Sequence, residues 1–161
     1  HMDAKLENLV VPIKIDISTG DVITPREVIY DYPLLLEDKS IQLWSYNLET
    51  ILAEKIQTML SRGLLNTRMR DFYDVTTLFN RYKDSINYND LSLAFDKTCR
   101  KRETLSLLKH YEEILCSISE DSTLHNLWKN YCRKYKYASH IKFSTNIEIL
   151  KHLMHQILAI E

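Results

Sequence analysis

Charged residues suited to phosphate or metal chemistry lie first in Lys14-Ile-Asp16-Ile-Ser18, a segment that alternates like a β-strand. Residues two apart on a strand share one face about 6.5 to 7 Å apart, so Lys14 and Asp16 could meet one ligand that carries a metal and phosphates. A buried carboxylate is costly unless it is paired or binds a cation. The same residues fit an edge strand with a Lys14–Asp16 surface pair, and Asp21 fits an ordinary turn.

A second set of charges lies on two successive predicted helices. Glu54 and Lys55 lie on the first, and Arg70, Asp71 and Asp74 lie near the start of the second. Because Asp71 and Asp74 share one helix face, the two helices could direct cations and carboxylates into one cleft. An ordinary surface explains the same residues, with Arg70 and Asp74 as an i,i+4 pair and the other charges in solvent or at a helix end. From the residues alone, both interpretations stay open.

The elements that must position these residues form a short strand-rich start and a long helical remainder. Strands are predicted at 9–18, 28–32 and 41–46, and the last proline is Pro33. From Leu48 apolar residues recur at helical spacing, with Asn47 as the expected N-cap and Gly63 as the expected C-cap. Further helices are predicted near 69–83, 89–99, 103–119, 123–137 and 144–159. The expected fold class is α+β and predominantly helical, with a short strand-containing part followed by a helical bundle.

Composition excludes several classes of protein. The chain has 161 residues, of which 45% are hydrophobic, and its net charge of −1 argues against a globally basic nucleic-acid binder. With only two glycines it has no P-loop, no G-x-G-x-x-G turn and no G-x-S-x-G elbow. Three widely spaced cysteines fit a reducing cytoplasm better than a disulfide framework. No apolar run approaches the roughly 18 residues of a membrane span, so no membrane partner is expected.

Taken together, the two charged stretches resemble the AbiEii/AbiGii toxin family, nucleotidyltransferase-fold proteins of bacterial abortive-infection and toxin-antitoxin systems. The matching motifs run in order over about 70 residues: Lys14 to Asp21, Tyr46 to Lys55, Ser61 to Gly63 and Asn66 to Asp74. The resemblance implies that residues 3–46 are the C-terminal part of a nucleotidyltransferase-like core and that residues 47–161 are a helical domain. Within that domain, motif helices would span 47–83 and a variable region 84–161.

The resemblance implies a Mg²⁺-dependent transfer of a nucleotide from a nucleoside triphosphate to an RNA acceptor, with transfer RNA as one candidate. The toxin would act in the bacterial cytoplasm under the control of a cognate antitoxin. The residues implied in catalysis are Asp16, Lys55 and Asp71, with Asp16 also a metal ligand. Those implied in nucleotide binding are Lys14, Glu54, Arg70 and Asp74. Lys55 would contact the nucleotide phosphates.

The sequence departs from the family pattern in one respect. Family members carry an upstream Gly-Ser turn and a pair of metal-binding aspartates, whereas this sequence contains no Gly-Ser and no Asp-x-Asp. One aspartate cannot assemble a two-metal site, so we expect a C-terminal fragment that is inactive by itself. The alternative is a non-catalytic helical module that binds an antitoxin or RNA.

A basic segment rich in aromatic residues lies between Asp121 and Glu148, where no acidic residue occurs. Its candidate RNA-binding residues are Lys129, Arg133, Lys134 and Lys136. Basic side chains bind a polynucleotide backbone and aromatic rings stack on bases. The pattern also fits an amphipathic helix with Trp128, Tyr131 and Tyr135 as its buried stripe, which is the interpretation we favour. The basic run at 100–102 is expected to be a solvated helix end.

Overall fold

The computed structural model describes residues 2–15, 17 and 19–160 and begins with two β-hairpins. Strands β1 (Met2–Leu6) and β2 (Leu9–Ile13) pair antiparallel, and so do β3 (Val28–Pro33) and β4 (Ser40–Ser45). Each hairpin is a separate two-stranded sheet. The described side chains of β2 and β3 are exposed along the whole of each strand, so neither sheet contributes to the core.

The remainder of the described chain is helical. The α-helices are α1 (Leu48–Arg62), α2 (Met69–Tyr82), α3 (Tyr88–Lys101), α4 (Tyr111–Glu120), α5 (Ser122–Lys134) and α6 (Phe143–Leu158). Short 3-10 turns at 63–65, 83–85, 105–110 and 136–138 connect them. This architecture confirms the expected α+β, predominantly helical fold. No helix in the described part of the chain is both long and apolar enough to cross a membrane.

Helix α1 begins and ends where its local sequence predicts. The side chain of Asn47 accepts a hydrogen bond from the Thr50 N–H at 2.8 Å, which satisfies a free donor of the first turn. Its amide group also donates to the carbonyls of Thr24 at 2.7 Å and Arg26 at 2.8 Å, so the cap ties the preceding loop to the helix. Gly63 ends the helix at a φ of +49°, in the left-handed region that favours glycine.

The hydrophobic core is built from the helices. Helix α1 packs on α2 and α3, and α6 packs on α2, α3 and α4. Fully buried side chains at the centre include Leu52, Ile56, Phe72, Phe95 and Leu153. Burying residues of this size contributes about 1.5 to 3 kcal/mol each, so this core anchors α1 and α2 to the rest of the helices.

The extent of three predicted elements is wrong. The strand predicted over 9–18 ends at Ile13, which pairs with Met2, the first residue of the unpredicted strand β1. Residues 16 and 18 lie outside the described residues. The helix predicted over 103–119 starts at Tyr111, after a 3-10 turn. The helix predicted over 123–137 ends at Lys134, because Tyr135 adopts an extended backbone. The division into domains at residue 46 stays a prediction.

Candidate nucleotide-binding site

Lys55 joins α1 to α2 through two carboxylates. Its Nζ lies 3.0 Å from Oδ1 of Asp71 and 2.8 Å from Oδ2 of Asp74. The two carboxylates converge because residues three apart on a helix share one face. The side chains are 23%, 9% and 25% exposed, respectively, so the cluster is largely removed from water. The solvated Lys55 of the surface interpretation is therefore not what the structure shows.

Two arginines flank the same carboxylates on the solvent side. Nε of Arg68 lies 3.5 Å from Oδ2 of Asp71, and Nε of Arg70 lies 3.8 Å from Oδ2 of Asp74. Both arginine side chains are mostly exposed, and such pairs contribute about 0 to 1 kcal/mol each. The arginines therefore add positive charge at the rim more than they add stability.

Arg102, the residue that follows α3, contacts α1 close to Lys55. Its guanidinium donates to Oε1 of Gln57 at 2.6 Å and to Oγ1 of Thr58 at 3.2 Å, and it lies 3.5 Å from Oε1 of Glu54. Residues 100–102 are exposed at the end of α3, as expected, and the packing of α3 against α1 also brings the Arg102 side chain over α1. Arg100 in the same run pairs with Asp96 of its own helix at 2.7 Å.

These side chains surround one pocket, which we call the Lys55 pocket. Its volume is about 290 Å³, and the polar residues of its wall include Tyr46, Glu54, Lys55, Arg68, Asp71 and Arg102. The Tyr46 hydroxyl donates to Oδ2 of Asp21 at 2.9 Å, which connects the 21–26 loop to one residue of the pocket wall. Three cations and two carboxylates therefore share a single concave surface.

The pKa shifts in the pocket have identifiable physical causes. Burial alone would lower the pKa of Lys55, but hydrogen bonds and charge from Asp74 and Asp71 outweigh burial and raise that pKa, so the ammonium stays charged at neutral pH. Burial raises the pKa of Glu54, against the opposing charge of Arg102. The hydrogen bond to Asp21 raises the pKa of Tyr46, so this side chain is a neutral phenol. Lys55, Arg68 and Arg102 each lie within 3.5 Å of a carboxylate oxygen, so the pocket contains paired charges of both signs.

Comparison of the sequence with protein families identifies the family of this chain. Residues 1–147 match the family described as nucleotidyl transferase AbiEii toxin, type IV TA system. The chain belongs to the AbiEii toxin family. Neither curated proteins nor solved structures show a significant match to the chain. The resemblance seen in the motifs is confirmed, and so is the general assignment to nucleotidyl transferase toxins of toxin-antitoxin systems.

The structure of this AbiEii family member brings together five of the predicted site residues. Glu54, Lys55 and Asp71 line the Lys55 pocket, and Arg70 and Asp74 adjoin it. Lys14 follows β2, is exposed and lies outside the set of residues that line the pocket. Asp16 lies outside the described residues, so its catalytic and metal-binding roles stay predictions.

Four residues around the pocket were not predicted to belong to a site. Asp21, Tyr46 and Arg68 lie within the motifs that carry the family resemblance, and this was the available signal for them. Arg102 has no such signal, because its position depends on how α3 packs against α1.

The described AbiEii residues do not fit a Mg²⁺ site. Asp71 and Asp74 converge on the ammonium of Lys55, which lies where a metal ion shared by both carboxylates would have to lie. Across residues 2–15, 17 and 19–160, no three His, Cys, Asp or Glu side chains come together as a possible metal site. Mg²⁺ prefers several oxygen ligands in octahedral geometry, so no metal-dependent step is derived from these residues.

The basic segment is amphipathic, as the favoured interpretation predicts, and RNA binding by its basic residues stays a prediction. Trp128 is buried and Tyr131 and Tyr135 are half-buried, as expected for the inner stripe of a helix. The four basic residues of the candidate RNA site are all exposed: Lys129, Arg133, Lys134 and Lys136. Lys134 also lines a second pocket of about 450 Å³ next to the first, whereas the other three do not.

Proposed function

We propose that the Lys55 pocket binds the phosphates of a nucleoside triphosphate while a nucleotide is transferred to an RNA acceptor. The observation that carries the proposal is the ammonium of Lys55, held charged between two helices in a pocket that also contains Arg68 and Arg102. A volume of about 290 Å³ lies at the lower end of small-molecule sites. It suits the phosphates, with the nucleoside extending outwards.

The reaction defines what these cations would do. An acceptor hydroxyl attacks the α-phosphorus and forms a new P–O bond, while the bond from the α-phosphorus to the bridging oxygen breaks and pyrophosphate leaves. Negative charge grows on the leaving pyrophosphate, and fixed cations stabilise it most where water is excluded. Lys55, Arg68 and Arg102 would supply that charge.

The carboxylates have positioning roles in this proposal. An ammonium group has three N–H donors, and Asp71 and Asp74 accept two of those of Lys55. Within the described part of the chain, this leaves one donor for a phosphate oxygen. Glu54 lies 3.5 Å from the Arg102 guanidinium and would hold it over the pocket.

Transfer also needs groups beyond those described. We propose that Asp16 contributes to Mg²⁺ binding together with a further pair of aspartates, and that this chain is inactive alone because its sequence has no Asp-x-Asp. We further propose control by a cognate antitoxin in the bacterial cytoplasm. The three free cysteines are compatible with that reducing compartment.

Labelled nucleotide transfer to total bacterial RNA tests the proposal. The assay compares a full-length toxin containing this sequence, the 161-residue chain, and Lys55→Met and Lys97→Met variants of the full-length toxin. Lys97 is an exposed lysine of α3 and serves as the matched control. We expect transfer by the full-length toxin and by the Lys97 variant, and no transfer by the chain alone. Transfer by the Lys55 variant should be at least 100-fold lower, which is the range seen when one electrostatic stabiliser is removed.

Two results would contradict parts of this proposal. Undiminished transfer by a folded Lys55→Met toxin would exclude the phosphate role of Lys55. No transfer by a folded full-length toxin, with each of the four nucleotides tried, would favour the non-catalytic module that binds an antitoxin or RNA.

A further inference from the structure

A second concave surface opens directly beside the Lys55 pocket. It lies between the start of α2 and the end of α5, has a volume of about 450 Å³, and shares Arg68 and Asp71 with the first pocket. We call it the α2–α5 groove. Its polar and aromatic wall includes Arg68, Arg70, Asn130, Tyr131, Lys134 and Tyr135. The groove and the Lys55 pocket therefore adjoin at Arg68 and Asp71.

The charge of the groove is positive. Arg68 and Arg70 are exposed on one wall and Lys134 is exposed on the other. The carboxylate on the wall is that of Asp71, which is 9% exposed and already paired with Lys55 and Arg68. Three cations on two facing walls can contact successive phosphates of a chain that runs between them.

Aromatic rings form the α5 side of the groove. Tyr131 and Tyr135 lie with ring centroids 4.8 Å apart, and Tyr135 and Tyr137 lie 5.6 Å apart. Nζ of Lys134 lies 5.3 Å from the centroid of the Tyr135 ring, so the ammonium lies over one face of that ring. Trp128 stacks on Tyr131 at 5.5 Å and 22°, which holds this cluster in place from the core.

We propose that the α2–α5 groove binds a single-stranded end of the RNA acceptor. Its phosphodiesters contact Arg68, Arg70 and Lys134, and one unstacked base lies on Tyr135. The groove then leads the terminal hydroxyl towards the triphosphate. This inference rests on the proposed function and specifies where its acceptor binds. Of the four candidate RNA-binding residues in the basic segment, the inference retains Lys134. Lys129, Arg133 and Lys136 do not line the groove.

Fluorescence anisotropy with a labelled ten-nucleotide single-stranded RNA tests the groove without requiring nucleotide transfer. Lys134→Gln should weaken binding several-fold at 0.1 M salt and reduce the slope of log K against log[salt] by about 0.7, the value for one phosphate contact on a single strand. Tyr135→Leu should weaken binding about 10-fold or more with an unchanged slope, because stacking involves no counterion release. Tyr135→Phe keeps the ring and should bind like the unmodified chain.

Lys129→Gln and Arg133→Gln are the matched controls, since both residues are exposed on α5 but outside the groove. Thermal unfolding followed by circular dichroism establishes that each variant is folded. Equal losses in the Lys129 and Lys134 variants, or equally tight binding of a blunt duplex, would overturn the proposal. A phosphate-only site would show the Lys134 effect without the Tyr135→Leu effect, which also overturns it.

The failure of this inference and the failure of the proposed function are distinguishable. RNA binding that depends on Lys134 and Tyr135, together with no nucleotide transfer by the full-length toxin, would support the groove and exclude the enzyme. Transfer that survives unchanged in Lys134→Gln and Tyr135→Leu toxins would support the enzyme and exclude the groove.

Discussion

Nζ of Lys55 lies 2.8 Å from Oδ2 of Asp74, across the interface of α1 and α2. A second carboxylate, Asp71, lies 3.0 Å from the same nitrogen. One ammonium therefore connects two helices and also lines the Lys55 pocket. Because the same contacts stabilise the fold and orient the proposed phosphate ligand, binding and stability should both respond to changes here, and they have to be measured separately.

Replacement of Lys55 by Met should destabilise the fold. The change leaves Asp71 and Asp74 close together without their shared cation, and an unpaired, largely buried polar group costs about 1 to 3 kcal/mol. Asp74→Asn in the Lys55→Met background should recover part of this loss. Urea denaturation of the two single variants and the double variant measures a coupling energy of about 0.5 to 3 kcal/mol. Strictly additive effects would show that the ion pair contributes nothing to stability.

The carboxyl group of Glu54 should make stability depend on pH. Burial raises its pKa, so the folded state binds this proton more tightly than the unfolded state does. The resulting penalty is absent below about pH 4, the range of an ordinary glutamate, and is fully present above the raised pKa. Glu54→Gln should therefore raise Tm at pH 7 by about 1 to 2 °C and leave it unchanged at pH 3.5.

Differential scanning calorimetry from pH 3.5 to 8 measures this difference. Glu148→Gln is the matched control, because Glu148 is an exposed residue of α6. Its Tm difference from the unmodified chain should stay the same at every pH. A Glu54→Gln variant that is less stable at pH 7 would mean that the contact with Arg102 outweighs the effect of burial.

The amide of Asn47 should hold the site loop as well as cap α1. It donates to the carbonyls of Thr24 and Arg26, and the loop that contains them leads back to Asp21 at the pocket. Asn47→Ala removes the cap and both donors and should destabilise the fold by about 2 to 3 kcal/mol. Asn47→Asp retains the cap acceptor, so urea denaturation should show a smaller loss. Amide hydrogen exchange should show faster exchange within residues 21–26 in both variants.

Local sequence signals predicted the helices well and the hairpins less well. The limits of α1 follow from Asn47 and Gly63, which act on neighbouring backbone groups. The end of β2 depends instead on the register of Met2 against Ile13, a pairing across a hairpin that the periodicity of one strand does not reveal. The sequence of β1 nevertheless alternates between apolar and polar residues, Met-Asp-Ala-Lys-Leu.

For the candidate site, too, local spacing predicts some residues, and others depend on how the helices pack. Spacing along α1 and α2 placed Lys55, Asp71 and Asp74 on faces that could meet, and the packing of the helices makes them meet. Spacing alone favours the surface interpretation, whereas the motifs of the family favour a shared cleft. Arg102 could not be predicted, because its approach to Gln57 follows from the contact between α1 and α3.

A buried polar pair between α2 and α6 should be replaceable as a unit but not singly. Oγ1 of Thr76 donates to Oδ1 of Asn146 at 2.6 Å, while Nδ2 of Asn146 is buried without a partner in the described structure. Thr76→Val removes that donor and should cost about 1 to 3 kcal/mol in urea denaturation. Asn146→Leu in that background removes every polar atom of the pair and should restore stability to at least that of the unmodified chain, since the unpartnered amide already has a desolvation cost. Thr123→Val, at an exposed position of α5, should change stability by less than about 0.5 kcal/mol. A double variant less stable than Thr76→Val would mean that α6 needs this amide for a contact other than the one with Thr76.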